Sequence, residues 1–249
     1  METKLLNFNL DKSCYLVVGE ETEQKKIRKE LKETPLTLSG GLMKEVEEEK
    51  YLGDYISAKG LGDSTLITIT KRCKKVTTAL MEIRAVVEDC RAHVTGGLVT
   101  GLEIWDIAVM PFLLNNSETW AEIPPKALEV LENIQNQFLK SILNTPRTCP
   151  TPSLLWETGT ITMENKIIKK KLLFFYHLLH LPEESLAWEI AQVQANLSLP
   201  GLLMECKSLS KNIDLPEALS CTKIQWKKLV LKRINEKNRN DVLKSIELF

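Results

Sequence analysis

The sequence predicts an α+β fold that is mostly α: a small antiparallel β region at the N-terminus, then a helical bundle and further helices. Three observations predict it. Short β-type apolar runs are confined to residues 1–60. From residue 64 onward, apolar residues recur in steps of three and four. Proline and glycine pairs fall where that periodicity is interrupted, as expected of element boundaries.

The strand signals come first. Cys14-Tyr15-Leu16-Val17-Val18 runs to Gly19, and Leu36-Thr37-Leu38 leads into a Ser39-Gly40-Gly41 turn and a further run over residues 42–46. Another strand is expected over residues 51–56, while the highly charged stretch 20–33 reads as a solvated loop or frayed helix. Leu66, Ile69, Cys73, Val76, Leu80, Ile83 and Val87 then mark a long amphipathic helix, with Ser64 as its cap. Gly96-Gly97 interrupts it, and a second helix carries Leu98, Leu102, Trp105 and Val109 to about residue 114. Pro124-Pro125 opens a third, with Leu128, Leu131, Ile134, Phe138 and Ile142 on one face. Three prolines within residues 145–152 predict an extended connector and a subdomain boundary. Helices are expected over 163–181 and after Pro182, where Leu186, Ile190, Val193 and Leu197 align; Pro200-Gly201 ends them. Trp226, Leu229, Val230 and Ile234 lie among seven Lys/Arg and one Glu in residues 221–239, a basic amphipathic helix.

Composition bounds the function. A chain of 249 residues, 43% hydrophobic and 27% charged, can bury a core. With 33 basic and 33 acidic residues it has no global field for polyanions, so a nucleic-acid site has to come from local clustering. The six cysteines form no CxxC pair, which fits reduced thiols and an intracellular protein of nucleus or cytoplasm. No stretch reaches the ~18 apolar residues of a membrane span, and no cleavable leader is evident at the N-terminus.

Three stretches, in order, carry a family resemblance. Asn9-Leu10-Asp11-Lys12-Ser13-Cys14-Tyr15-Leu16-Val17-Val18-Gly19 resembles the lysine-bearing palm segment of a retroelement polymerase. Lys50-Tyr51-Leu52-Gly53-Asp54-Tyr55-Ile56 is similar to the KYLG primer-grip hairpin of such enzymes. The most distinctive stretch combines Glu118-Thr119-Trp120, the helix expected from Leu128 to Leu143, Thr145-Pro146-Arg147-Thr148-Cys149-Pro150 and Leu154-Leu155-Trp156-Glu157-Thr158-Gly159. It resembles the region after the thumb in reverse transcriptases of non-LTR retrotransposons (long interspersed elements). The resemblance implies a palm C-terminal remnant over 1–60, a thumb-like helical region over 61–145 and a post-thumb helical region over 146–200. A loop and basic helical tail would follow over 201–249.

In that family Lys12 would donate a proton to the leaving pyrophosphate; read by itself it is an ordinary exposed lysine beside a turn. Tyr51, Leu52 and Gly53 would form the primer grip, where glycine lets backbone approach a phosphate; the alternative is a plain strand ending in Gly-Asp. The catalytic aspartate pair would precede residue 9, so this chain is expected to be a truncated fragment, inactive alone, and to hold no cofactor. Mg2+ is implied only for the intact parent enzyme, an RNA-directed DNA polymerase. Asp11 and Asp54 read as capping or solvated carboxylates, and no metal ligand set is expected.

Lys71, Arg72, Lys74 and Lys75 are expected on the outer face of the long helix, and Lys169, Lys170 and Lys171, after Lys166, on the aromatic helix. Either row could follow phosphates of RNA or an RNA/DNA hybrid, or simply be a solvated face balanced by acids. His177 and His180, three apart beside Phe174, Phe175 and Tyr176, read as polar edges of a packed helix rather than zinc ligands, and Cys90-x-x-His93 is isolated. The partners expected are RNA or hybrid duplex, the missing palm and fingers of a polymerase, and no membrane. The competing expectation is an α-helical protein–protein interaction protein with no nucleic-acid role.

Overall fold

The computed structural model describes residues 9–90, 96–120, 123–197 and 201–247. It is mostly helical with a few short strands, the α+β class expected. Two compact units are present, Met1–Thr68 and Ile69–Phe249.

In the first unit the strands are short and pair two by two. Strand β1 (Cys14–Tyr15), β2 (Thr37–Leu38), β3 (Gly41–Leu42), β4 (Lys44–Glu45), β5 (Glu48–Tyr51) and β6 (Asp54–Ser57) form the ladders β1-β4, β2-β3 and β5-β6. The last two are antiparallel hairpins, but β1 and β4 are parallel, with Cys14 opposite Lys44. The strand expected over 14–18 ends at Tyr15, and the single strand expected over 51–56 is a hairpin. Its cause is local: Leu52 and Gly53 both have positive φ, 48° and 94°, which reverses the chain in two residues. Residues 20–33 are a regular helix, α1 (Glu21–Glu33), rather than a frayed loop, yet none of its 13 residues, all described, is buried. Good helix formers and the Glu21–Lys25 pair at 2.7 Å stabilise it. Arg28 Nε meets Glu45 Oε1 at 2.6 Å, and Gln24 Nε2 donates to the Ala58 carbonyl at 3.0 Å.

Helix α2 (Leu61–Cys90) starts one turn before the expected cap. Ser64 lies inside it, its hydroxyl donating to the Gly60 carbonyl at 2.7 Å while accepting from Ser57 N–H at 2.9 Å. In the second unit the helix expected over 98–114 is composite. Helix α3 (Gly96–Ile104) passes through a π-helical turn at Trp105–Val109 into α4 (Met110–Leu113). The π turn seats Trp105 flat on Phe138, centroids 4.4 Å apart. Helix α5 (Pro125–Leu143) begins at the expected proline, buries Leu131, Ile134, Phe138, Leu139 and Ile142, and ends on Asn144 at φ 53°.

The extended connector is shorter than predicted, because Pro152 lies in the first turn of α6 (Thr151–Thr158), where no helical N–H is needed. Helix α7 (Met163–Leu179) is capped twice. Thr162 Oγ1 accepts from Asn165 N–H at 3.2 Å, and Glu132 of α5 accepts from Met163 N–H at 2.7 Å. Helix α8 (Leu186–Asn196) is capped by Ser185. A helix not anticipated, α9 (Leu202–Asn212), fills part of the stretch expected to be loop, and α10 (Lys223–Glu247) extends beyond its expected end.

Helix α7 is central in this unit: α5, α8, α9 and α10 all pack against it. Leu172, Phe175 and Leu178 of α7 meet Leu203 and Cys206 of α9 and Trp226, Val230 and Ile234 of α10 in one core. Trp226 is 1% exposed and donates its indole N–H to the Leu172 carbonyl at 2.9 Å. Replacing it by alanine is expected to cost about 3–5 kcal/mol, because the cavity borders three helices that cannot all move in. Urea unfolding monitored by circular dichroism would measure this; a loss under 1 kcal/mol would contradict the packing described.

Candidate nucleic-acid interface

The β5-β6 hairpin is the clearest of the expected sites. Lys50 pairs with Tyr55 and Tyr51 with Asp54, so Leu52 and Gly53 alone form the tip. Tyr51 is 63% and Leu52 77% exposed. Leu52 at positive φ costs stability relative to a relaxed backbone, so a tip of this kind has to be held by its base. The base is held by the first turns of α2. Tyr55 N–H donates to Thr68 Oγ1 at 2.8 Å, Ser57 N–H to Ser64 Oγ at 2.9 Å, and Ser57 Oγ to Asp63 Oδ2 at 2.5 Å. A rigid loop with an apolar tip and an adjacent lysine suits contact with a sugar-phosphate backbone.

Lys12 is exposed at the end of a 3₁₀ turn, Leu10–Lys12. It lines an open hollow of about 720 Å3 with Cys14, Lys44 and Glu49. Cys14 Sγ lies 3.4 Å from Glu49 Oε2. Its thiol is held above its usual range by partial burial and then by that hydrogen bond and charge. Among the described residues no three His, Cys, Asp or Glu side chains are grouped to hold a metal.

Two of the expected phosphate contacts are corrected by burial. Arg72 is 6% exposed, not on an outer face. Its Nη1 donates to the carbonyls of Leu113 at 3.3 Å and Asn115 at 2.7 Å, with the guanidinium 5.8 Å from the Trp120 ring. It satisfies carbonyls at the end of α4, where a cation is favoured. Lys171 is 2% exposed and pairs with Glu205 of α9 at 2.6 Å. Lys170, partly buried, pairs with Glu118 at 2.9 Å and donates to the Leu114 carbonyl. Lys74 and Lys75 are exposed; Lys71 and Lys169 are half-buried. The periodicity held the signal: Arg72 is three residues after Ile69 and four before Val76, on the buried side, whereas 71, 74 and 75 share the other.

Lys166 is 8% exposed and donates to Gln135 Oε1 at 2.9 Å, with Met110 Sδ at 3.5 Å. Burial, with some help from Lys169, pulls its pKa down to about 8, against the opposing pull of Asp106 and Glu132. His180 stacks on Tyr176, centroids 4.0 Å apart, and His177 is an exposed edge of the same helix. Cys90-x-x-His93 lies outside the described side chains.

One surface was not anticipated. Along the outer side of α5, Asn133, Asn136, Gln137 and Lys140 line a groove of about 760 Å3 that Asn144 and Arg147 close. Lys140 Nζ donates to the Arg147 carbonyl at 2.6 Å, holding the connector over it. Its described lining carries amides, hydroxyls and two cations but no carboxylate. Amides can hydrogen-bond base edges while the cations meet phosphates. The sequence signal was the amide run at helical spacing.

Buried Lys166 makes stability depend on pH. An unfolded Lys166 keeps its proton to about 10.5 and the folded one releases it near 8, so the unfolded chain binds more protons between. Stability should therefore rise from pH 8 toward 10.5, by roughly 3 kcal/mol, and the rise should flatten in Lys166→Met. Urea midpoints of parent and variant across this range test it; parallel curves would refute it. Glu205→Ala should cost about 3 kcal/mol by leaving the Lys171 ammonium buried and unpaired, whereas Lys171→Met should cost much less. Thermal melts of both variants compare the two, and equal losses would count against the pairing. Comparison with known proteins returned no matching family model, no matching curated protein and no matching solved structure.

Proposed function

We infer that this chain is the palm-end, thumb and post-thumb part of a reverse transcriptase of the non-LTR retrotransposon kind, and that it binds RNA or an RNA/DNA hybrid. The observation that carries the reading is the Tyr51-Leu52-Gly53 hairpin, an exposed two-residue turn braced on the start of a long helix. A primer grip requires that combination of rigid base and protruding tip. The N-terminal unit adds support: it exposes Val18, Leu36, Leu42 and Ile56 and buries, among its described apolar residues, only Val17 and Ala58. Such short ladders fit the end of a larger sheet, whose other strands would cover these side chains. The amide-lined groove on α5 supplies a second nucleic-acid-compatible surface. Nucleotide addition is not assigned to these residues; it would fall to acids elsewhere in a polymerase.

A second reading rests on α8. Leu186, Ile190, Val193 and Leu197 line up at helical spacing and are 69%, 49%, 49% and 63% exposed, while Ala191 alone on that helix is buried. An uncovered apolar stripe favours a protein partner, as in the interaction-protein alternative. Leu186→Glu with Val193→Glu would abolish co-purification with such a partner and leave RNA affinity untouched.

The nucleic-acid reading is tested by fluorescence anisotropy with a labelled RNA/DNA hybrid at low and moderate salt. Affinity should fall steeply with salt. Lys74→Glu with Lys75→Glu should weaken binding at least tenfold and lower the salt slope by about one per lost contact. Leu52→Asn should weaken it without changing the slope. Absence of affinity at low salt would remove the reading.

A further inference from the structure

Helices α10 and α6 border an open hollow of about 320 Å3, near the lower size of small-ligand sites. Leu155, Ile161 and Val242 form its apolar wall, and Trp156 stands at its mouth. Trp156 is 47% exposed, whereas Trp105, Trp120 and Trp226 are at most 6% exposed. Its indole face is the kind of surface on which an unpaired base stacks. Exposed Arg239 holds its guanidinium over the ring, 5.6 Å from the centroid, and lines the same opening, so a base stacking on that face displaces the guanidinium outward.

The polar group on the wall has a fixed orientation. Lys237 Nζ, which can only donate, meets Asn165 Oδ1 at 3.0 Å. That directs the Asn165 amide nitrogen to Asn238 Oδ1, at 3.1 Å, and Thr162 N–H donates to the same oxygen at 3.0 Å. Asn238 is 7% exposed, its oxygen is doubly occupied, and it lines the cavity. The hydrogen-bonding capacity it keeps is therefore its Nδ2 donor. A buried amide held by two partners costs little further ordering when a ligand carbonyl arrives.

We propose that this cavity takes an unpaired nucleobase bearing a ring carbonyl, stacked on Trp156 and accepting from Asn238 Nδ2, with Arg239 facing the attached phosphate. Uracil, cytosine and guanine offer that acceptor as a carbonyl; adenine offers only ring nitrogens, and with Asn238 Oδ1 already doubly occupied it cannot complete the paired amide contact through its 6-amino group. The inference deepens the nucleic-acid reading by naming the chemistry of one contact. Its test separates a base within a strand from a free nucleotide.

The full chain is titrated with uridine and adenosine monophosphates by calorimetry, and with labelled short oligouridylate and oligoadenylate by anisotropy. Uridylate is expected to bind better than adenylate. Trp156→Ala should weaken uridylate binding about tenfold, and Trp156→Phe should retain most of it. Arg239→Gln should weaken binding and reduce its salt dependence. Near-ultraviolet circular dichroism of each variant confirms that the exposed substitutions leave the core intact. Strand binding that Trp156→Ala leaves unchanged overturns the cavity and keeps the wider reading. Trp156-dependent binding of the free nucleotide without strand binding keeps the cavity and overturns the wider reading. Equal binding of uridylate and adenylate overturns the role of Asn238, and no uridylate binding in either form overturns the cavity.

Discussion

The helical unit depends on how it accommodates cations inside itself. Helix α7 is contacted by α5, α8, α9 and α10, so a helix with four lysines within six positions cannot keep all of them in water. An ammonium taken from water without partners is prohibitively costly, and each inward lysine has found one: Gln135 for Lys166, Glu118 and the Leu114 carbonyl for Lys170, Glu205 for Lys171. Arg72 follows the same rule with two carbonyls near the end of α4. These partners sit on α5, α9 and the 114–118 turn, so satisfying the charges also fixes which segments lie beside α7.

Among the described cations only Arg72, Lys166 and Lys171 are buried, so most Lys and Arg stay at the surface, where an equal number of acids in the chain balances the basic residues. The surfaces compatible with nucleic acid are consequently local: the hairpin tip, the outer side of α2 at Lys74 and Lys75, and the amide groove of α5. None of them needs a strongly basic chain.

The start of α5 was legible because Pro125 sets it, and the change from strand to helix was legible near residue 64. The lysine rows were not read correctly. Three consecutive helical residues sweep most of a turn, so at least one of 169, 170 and 171 must point inward; 163, 167, 171 and 175 form one buried row in which Lys171 stands among apolar side chains. Helix α9 was missed because Lys and Ser separate Leu203, Cys206 and Ser210, its buried positions, after a proline-glycine break. The β5-β6 turn was expected only through its likeness to a primer grip, because leucine seldom takes positive φ and no local residue preference announces it.

Trp226, Val230, Ile234, Asn238 and Val242, every fourth residue of α10, complete surfaces begun some seventy positions earlier on α6 and α7. On a ribosome the earlier helices must therefore emerge and wait with their apolar sides open until that last long helix follows. A premature stop or frameshift within residues 223–242 would leave a product that never closes its interior and is a ready target for chaperones and proteases.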